Sequence, residues 1–370
     1  MHALLWLAAA GAASAAAPLT MLTDARATCL DGTLGGFYVE SAADPSNATN
    51  FVIYLEGGGE CATAAACTAA TKNSLGSSRY FQPTWSFGEG DAYASGLPSN
   101  PFAGYTRVHV PYCSQDLWSG TRESASPDTF GLYFSGHHIL EAVFVALRDA
   151  HFLGDATEVI LTGASAGGIG AWVNTNALIA GFLPASCRAT VAPIAGMYFF
   201  AYPYTGVNHT SSELVDFREA AMPGNVALWQ SYIDPACAAG LGARSYACML
   251  SNYSFPFIRA AAFITEAQTD QVQLEAHDWL PGPDHQMAPE RAYMAAWRDN
   301  MTQAITQAQA PDLRAAGFFN PACYIHTAFS SSSPLIGGES YLAAFARWYA
   351  GGNVRLADDC GLTCNPTCPH

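Results

Sequence analysis

Ser165 stands in Gly163-Ala164-Ser165-Ala166-Gly167-Gly168, between an apolar run and a Gly/Ala-rich stretch. A serine hydroxyl becomes a nucleophile only when a base takes its proton and donors hold the charge it creates. The pattern G-x-S-x-G meets the first geometric need when a strand precedes it and a helix follows. The turn is then sharp enough to lift Oγ above the sheet, and the flanking glycines let backbone and helix pass closely. The helix N-terminus behind the serine also favours developing negative charge. A tight structural turn with the same pentapeptide is the alternative.

Acyl transfer needs N–H donors for the oxyanion. Ala166 N–H, directly after the nucleophile, is one candidate. Gly58 and Gly59, in Leu55-Glu56-Gly57-Gly58-Gly59-Glu60-Cys61, are the others, since consecutive glycines present backbone N–H groups without side-chain hindrance. In this fold the acid and then the histidine follow the serine along the chain. His277, His285 and His326 lie downstream. Only His326 directly follows an apolar run, Ala322 to Ile325, whereas His277 and His285 occupy a polar Pro/Gly stretch and read as surface residues. The adjacent His137 and His138 open a helix and read as structural. His277/Asp278 and Asp284/His285 could each contribute to a metal site, but no third ligand has recognisable spacing. For the acid, Glu266, Asp270 and Glu275 follow the run Ala260 to Ile264. Spacing makes Asp270 plausible and puts Glu266 very close to the strand, without removing it as an alternative. A Glu266 that is not the triad acid reads as a solvated or cap-bonding carboxylate.

These residues need an open α/β sheet to hold them. Asn50 to Leu55, Thr106 to Val110, Glu158 to Thr162 and Ala189 to Ile194 read as strands. Ala260 to Ile264 and Ala322 to Ile325 read as the last two. His138 to Phe152 and Ala166 to Phe182 read as covering helices. The predicted fold class is α/β, a doubly wound, mostly parallel sheet of the α/β-hydrolase type. Residues 18–370 are expected to form one domain, with the irregular aromatic segment at about 198–257 as a cap over the site.

Composition narrows the setting. Charged residues are 12% of the chain and apolar residues 50%, which favours a large core over disorder. A net charge of −15 excludes nucleic acid as a partner and would repel a bare polyanion at long range. Residues 1–17 read as a signal peptide: an apolar run, then small residues, without a basic start. The run is shorter than the roughly 20 residues that span a bilayer, so stable membrane insertion is not expected. Eleven cysteines and sequons at Asn47, Asn208, Asn252 and Asn300 fit a secreted or lumenal chain, and an odd count leaves at least one thiol unpaired or intermolecular.

Several segments together resemble the pectin acetylesterase/Notum family: LEGGGEC (55–61), VPYCSQDLWSG (110–120), GASAGGIGAW (163–172), FITEAQTDQVQ (263–273) and GFFNPACYIH (317–326). ATCLDGTLGGFYV (27–39) and the tail CNPTCP (364–369) also match, so the resemblance runs from about residue 25 to the C-terminus. It implies a secreted α/β-hydrolase that removes O-acyl groups by a triad of Ser165, Asp270 and His326, with Gly58, Gly59 and Ala166 as oxyanion donors and no cofactor or metal. D-x-x-Q falls on Asp270 to Gln273, which favours Asp270 over Glu266. The resemblance further implies disulfides Cys29–Cys113, Cys61–Cys67 and Cys237–Cys248, and Cys323 with one of Cys360, Cys364 or Cys368. A zinc site from the tail spacing is the alternative for that last cluster. One departure concerns specificity: the family carries an aromatic residue after the glycines where this chain has Glu60. The expected activity is removal of O-acyl groups, acetyl foremost, from a polysaccharide such as pectin, by a monomer. Deacylation of a lipidated protein or another long-acyl ester is the alternative, and a non-catalytic glycan-binding homologue the third reading.

Overall fold

The computed structural model describes residues 16–210, 217–282, 287–307 and 316–369. Most of the predicted leader, residues 1–15, and His285 lie outside them. The strands are β1 (Ala17–Met21), β2 (Gly36–Glu40), β3 (Asn50–Leu55), β4 (Thr84–Trp85), β5 (Thr106–Val110), β6 (Glu158–Ala164), β7 (Arg188–Ile194), β8 (Ala261–Thr265), β9 (Thr269–Asp270), β10 (Gly317–Asn320), β11 (Tyr324–Ile325), β12 (Leu335–Ile336), β13 (Glu339–Ser340) and β14 (Arg355–Ala357). Among the described residues, ten of them form one sheet in the order β14-β10-β8-β7-β6-β3-β5-β2-β1-β4. From β5 to β14 every pairing is parallel, while β2 pairs antiparallel with β5 and with β1. The predicted mostly parallel α/β sheet is what the chain forms.

The helices are α1 (Ala64–Ala70), α2 (Gly136–Ala150), α3 (Ala166–Phe182), α4 (Met222–Trp229), α5 (Pro235–Leu241), α6 (Ser251–Ser254), α7 (Ala288–Gln307) and α8 (Tyr341–Tyr349). Side chains alternate along a strand, so each strand feeds two cores. Phe51, Ile53 and Leu55 of β3 join the core under α2 and α3. Val52 and Tyr54 join the opposite core, closed by Phe345 and Trp348 of α8. With both faces covered, β3 is apolar throughout its buried length, as parallel strands require. The first ten residues of α3, Ala166 to Thr175, are all buried, which marks it as the central helix rather than a surface one. It stops at Leu183, whose extended backbone (φ −101°, ψ 146°) is what the following Pro184 demands.

Two predicted strands need correction. β6 does not break at Gly163 but runs to Ala164. Ala322 to Ile325 is not a strand of the main sheet. That place belongs to β10, while β11 pairs with β9 in a separate two-stranded sheet. A four-residue apolar run gives no period by which to tell a sheet strand from a short bridge.

Cystines tie distant elements together. Cys29 is bonded to Cys113 across 84 residues, Cys61 to Cys67, Cys237 to Cys248, Cys323 to Cys368 and Cys360 to Cys364. Cys187 is the free cysteine, and burial pushes its thiol up to about 11, so it stays protonated and unreactive at neutral pH. Asn208 and Asn300 are exposed and Asn47 and Asn252 half-buried.

Replacing Cys29 and Cys113 together with alanine should lower stability by about 4–5 kcal/mol, the chain-entropy value for a loop of this length. Denaturant midpoints of the wild type and the double variant check it, and a loss under about 1 kcal/mol would show that the bridge constrains little.

Candidate active site

The cavity lies at the carboxyl ends of β3, β6 and β7, the edge at which open α/β sheets place their ligands. At the end of β6 the chain turns into α3 through Ser165, which adopts φ 58° and ψ −124°. A non-glycine residue there is strained, at about 1–3 kcal/mol, and its neighbours must hold it. Ser165 N–H donates to Ile194 O at 2.9 Å, and Ile169 N–H donates to Ser165 O at 3.0 Å, so both peptide faces are fixed. The flanking glycines are there for space. A Cβ on Gly167 would meet Leu55 O at 2.0 Å, and one on Gly163 would meet Gly167 C and O at 2.5 Å.

The glycine loop after β3 lies against this turn. A Cβ on Gly57 would stand 2.4 Å from Ala164 O and 3.0 Å from Ser165 Cβ. Gly58 and Gly59 have φ of 147° and 70°, left-handed values that glycine alone takes freely. Gln115 Nε2 donates to Gly58 O at 3.1 Å. Holding that carbonyl on one side of its peptide plane turns the Gly59 N–H to the other side. The segment carrying Gln115 is anchored in turn: Cys61 N–H donates to Gln115 O at 3.1 Å, and Trp118 Nε1 donates to Glu56 O at 3.1 Å.

Asp270 and His326 meet through the two-stranded sheet. β9 and β11 pair in parallel with Ile325 opposite Asp270, so the residue after Ile325 lands beside the carboxylate. His326 Nδ1 and Asp270 Oδ2 are 2.7 Å apart, and Asp270 Oδ1 accepts the Gln273 N–H at 2.9 Å. A carboxylate accepts only, so Nδ1 carries the proton and Nε2 the lone pair. Nε2 is buried with no hydrogen-bond partner among the described residues. His326 and Ser165 line the same cavity, of about 540 Å³, together with Gly57, Gly58 and Gly59.

Glu266 is elsewhere. It follows β8 directly, is fully buried, and accepts the Met197 N–H at 2.8 Å through Oε2. The reading of a solvated carboxylate is therefore wrong: the strand end on which Glu266 stands lies inside the molecule. Burial, then the charge of Asp270, raise its pKa well above the ordinary carboxylic range and keep it protonated. Gln273 Nε2 donates to Met197 O at 3.1 Å, so Glu266 and Gln273 grip both sides of one residue next to Tyr198.

Three further residues, Tyr198, His277 and Glu60, line this cavity, and only Glu60 lies in a motif. Tyr198 is 3% exposed and lines the cavity together with Ser165. Burial, then the charges of Asp270 and Glu60, hold that phenol well above its usual pKa. His277 is not the surface residue expected. It is 5% exposed, stacked on Phe217 at 4.3 Å, and 3.9 Å from Glu60 Oε1 through Nε2. The polar composition around it suggested a loop, and the five-residue turn Gln273–His277 tucks the ring inward instead. Glu60, at the aromatic position of the family pattern, lines the cavity beside Gly59. His137 and His138 open α2, with His137 Nδ1 2.6 Å from Asn174 Oδ1, away from this cavity. Among the described residues no group of three or more His, Cys, Asp or Glu could hold a metal ion.

The raised pKa of Glu266 has a consequence for stability. The folded chain keeps this proton above the pH at which the unfolded chain releases it. The folded state then binds more protons, and stability falls as pH rises from the ordinary carboxylate range toward the folded-state value. Glu266→Gln keeps the shape and removes the titration. Its melting temperature relative to wild type should therefore improve between pH 5 and pH 8, with activity within about tenfold of wild type, far from the loss on the order of 10⁴ seen when a triad acid is neutralised. A penalty of equal size at both pH values would show that Glu266 is ionised in the fold.

The pectinacetylesterase family profile matches residues 10–369. Pectin acetylesterase 5 of Arabidopsis thaliana is 28% identical over 92% of this chain and 82% of its own. The palmitoleoyl-protein carboxylesterase NOTUM of Schmidtea mediterranea is 28% identical over 67% of this chain and 47% of its own. The structure of the Wnt deacylase Notum from Drosophila superposes with a TM-score of 0.81 at 22% identity, covering 96% of this chain and all of that one, which speaks to the fold. With a profile that spans nearly the whole chain, and relatives on both branches named as esterases, this chain is a carboxylic ester hydrolase and belongs to the pectinacetylesterase family.

Proposed function

We propose that the chain is a secreted serine carboxylesterase that removes O-acyl groups from the hydroxyls of a polysaccharide such as pectin. The observation that carries it is His326, bonded to Asp270 through Nδ1 at 2.7 Å and lining the cavity of Ser165 with Nε2 unpaired. In this reading Nε2 takes the Ser165 proton as Oγ attacks the ester carbonyl. Asp270 holds the tautomer and supports the imidazolium. The N–H groups of Gly58, Gly59 and Ala166 receive the oxyanion. His326 then gives its proton to the leaving alcohol, and later activates the water that releases the acid from Ser165.

The pectin acetylesterases among the relatives support a polysaccharide substrate, as they are matched over the larger share of their own length. The NOTUM relatives favour a second reading with the same chemistry, in which the ester is a fatty acyl group on a protein. Five disulfides support secretion, and no described helix is long and apolar enough to cross a membrane. Residues 198–257 are assigned as a cap, since Tyr198 opens that segment at the nucleophile and its Phe217 stacks on His277 in the cavity wall.

Acetate release from acetylated pectin tests the reading. Ser165→Ala should fold normally and lose on the order of 10⁶ in rate. Asp270→Asn should lose on the order of 10⁴ in kcat at neutral pH, because the amide holds His326 in the wrong tautomer. Near-normal turnover by purified Ser165→Ala would end the mechanism, whereas near-normal turnover by Asp270→Asn would reassign only the acid.

A further inference from the structure

β3 and β5 run in parallel with Leu55 opposite Val110, so the next bridge of the ladder would join Glu56 to Pro111. A parallel bridge of that kind takes two bonds, Glu56 N–H to Val110 O and Tyr112 N–H to Glu56 O. The first is made, at 3.1 Å. In place of the second, the Tyr112 N–H donates at 2.9 Å to Oε2 of the Glu56 side chain. The carboxyl thus stands in for its own backbone carbonyl. Tyr112 is fully buried, so its N–H must be paired, and without the carboxyl the remaining acceptor of the ladder is Glu56 O.

The released carbonyl turns elsewhere. Glu56 O accepts from Trp118 Nε1 at 3.1 Å and lies against the start of α3, where a Cβ on Gly167 would meet it at 2.9 Å. A peptide unit is planar, so the direction of Glu56 O fixes that of the Gly57 N–H on its other side. The chain therefore leaves the sheet at Glu56 and enters the glycine loop with its first peptide already oriented. Gly57 then packs on Ala164 O and Ser165 Cβ, and Gly58 and Gly59 follow with φ of 147° and 70°.

We propose that Glu56 is a positioning residue for the oxyanion donors: its carboxyl takes over the Tyr112 N–H and so holds the Glu56–Gly57 peptide in the orientation from which Gly58 and Gly59 line the cavity. The proposal rests on the serine esterase reading above. Glu56 acts through the backbone that follows it and not by touching the ester. Without the carboxyl, the ladder draws Glu56 O back toward the Tyr112 N–H, the peptide rotates, and the donors after it move. A displacement of about 1 Å is enough to cost about a hundredfold in rate. The loss falls on the transition state, where the oxyanion exists, and not on the binding of the neutral ester.

The test is hydrolysis of p-nitrophenyl acetate by Glu56→Ala, Glu56→Asp and Glu56→Gln, together with the affinity of each for a trifluoromethyl ketone that adds to Ser165 as a tetrahedral oxyanion. Glu56→Ala removes the acceptor, and Glu56→Asp, a methylene shorter, withdraws it from the Tyr112 N–H. Each should lower kcat by about 30- to 100-fold with KM within about threefold of wild type. The ketone should weaken by the same factor as kcat/KM, a correlation that a loss of stability alone does not produce. Glu56→Gln keeps an acceptor oxygen at the same reach and should hold kcat and ketone affinity within about fivefold of wild type. A folded Glu56→Ala or Glu56→Asp with wild-type kcat overturns the proposal, and so does a Glu56→Gln that loses as much as they do. If neither shortened variant folds, Glu56→Gln decides alone: values within about fivefold support the acceptor role, and a larger loss overturns it. Hydrolysis that survives Ser165→Ala removes the esterase reading itself, whereas Ser165-dependent hydrolysis indifferent to Glu56 removes this inference alone.

Discussion

Gly167 lies against the carbonyl of Leu55 with no room for a side chain, a Cβ there falling 2.0 Å from the oxygen. The rest of the site depends on that contact. It lets the N-terminus of α3 sink between the ends of β3 and β6, so the turn at Ser165 stands directly beside the glycine loop. Gly57 makes the reciprocal approach to Ala164. The two loops then act as one body, and the strained backbone of Ser165 is kept by its bond to Ile194 and by α3 behind it. A nucleophile and its oxyanion donors need relative placement to a fraction of an ångström. Backbone in contact with backbone provides it without relying on side-chain rotamers.

The acid and the base arrive by a different route. β9 and β11 contribute two residues each, too few to add to the core, but their pairing brings Asp270 and His326 into register. Around them, buried polar groups are arranged so that one negative charge, that of Asp270, stands next to the imidazole. Glu266 is the nearer carboxyl to the strand end, but burial and the charge of Asp270 keep it neutral. As a neutral group it can hold the Met197 peptide, which Gln273 grips from the other side. Tyr198 is therefore fixed by the same residues that fix the acid, which couples the start of the segment after β7 to the triad.

Several of these groups converge on the same small volume. Burial and the charges of Asp270 and Glu60 act on the Tyr198 phenol, which shares the cavity of Ser165. Ser165 thus shares its cavity with the Tyr198 hydroxyl and the His326 imidazole, and Tyr54 and Phe329 add aromatic surface to the wall. A pocket of about 540 Å³ has the volume for many ligands.

Local order alone fixed much of this. The apolar runs at Asn50 to Leu55 and Glu158 to Thr162 and the small residues of Gly163 to Gly168 predict strands, turn and helix because each depends on near neighbours. Ser165, Gly58, Gly59 and His326, singled out from their local sequence, line one cavity. The choice between Asp270 and Glu266 was not settled by spacing, since both follow one strand by a few residues. Their difference lies in the β9–β11 pairing and in depth of burial, which are properties of contacts between residues 56 apart in the chain. His277 was misjudged on similar grounds: polar neighbours in sequence indicate a loop but not which side of it faces inward. Tyr198, Glu60 and His277 come from three separate loops, and only packing around a common cavity brings them together. The sequence by itself determined the fold and the tight turn that carries Ser165, through periodicity and steric size. The tertiary structure alone decided which carboxyl stands beside His326, the burial that raises the pKa of Glu266 and the loops that share the cavity, because burial and charge proximity exist only once distant segments meet.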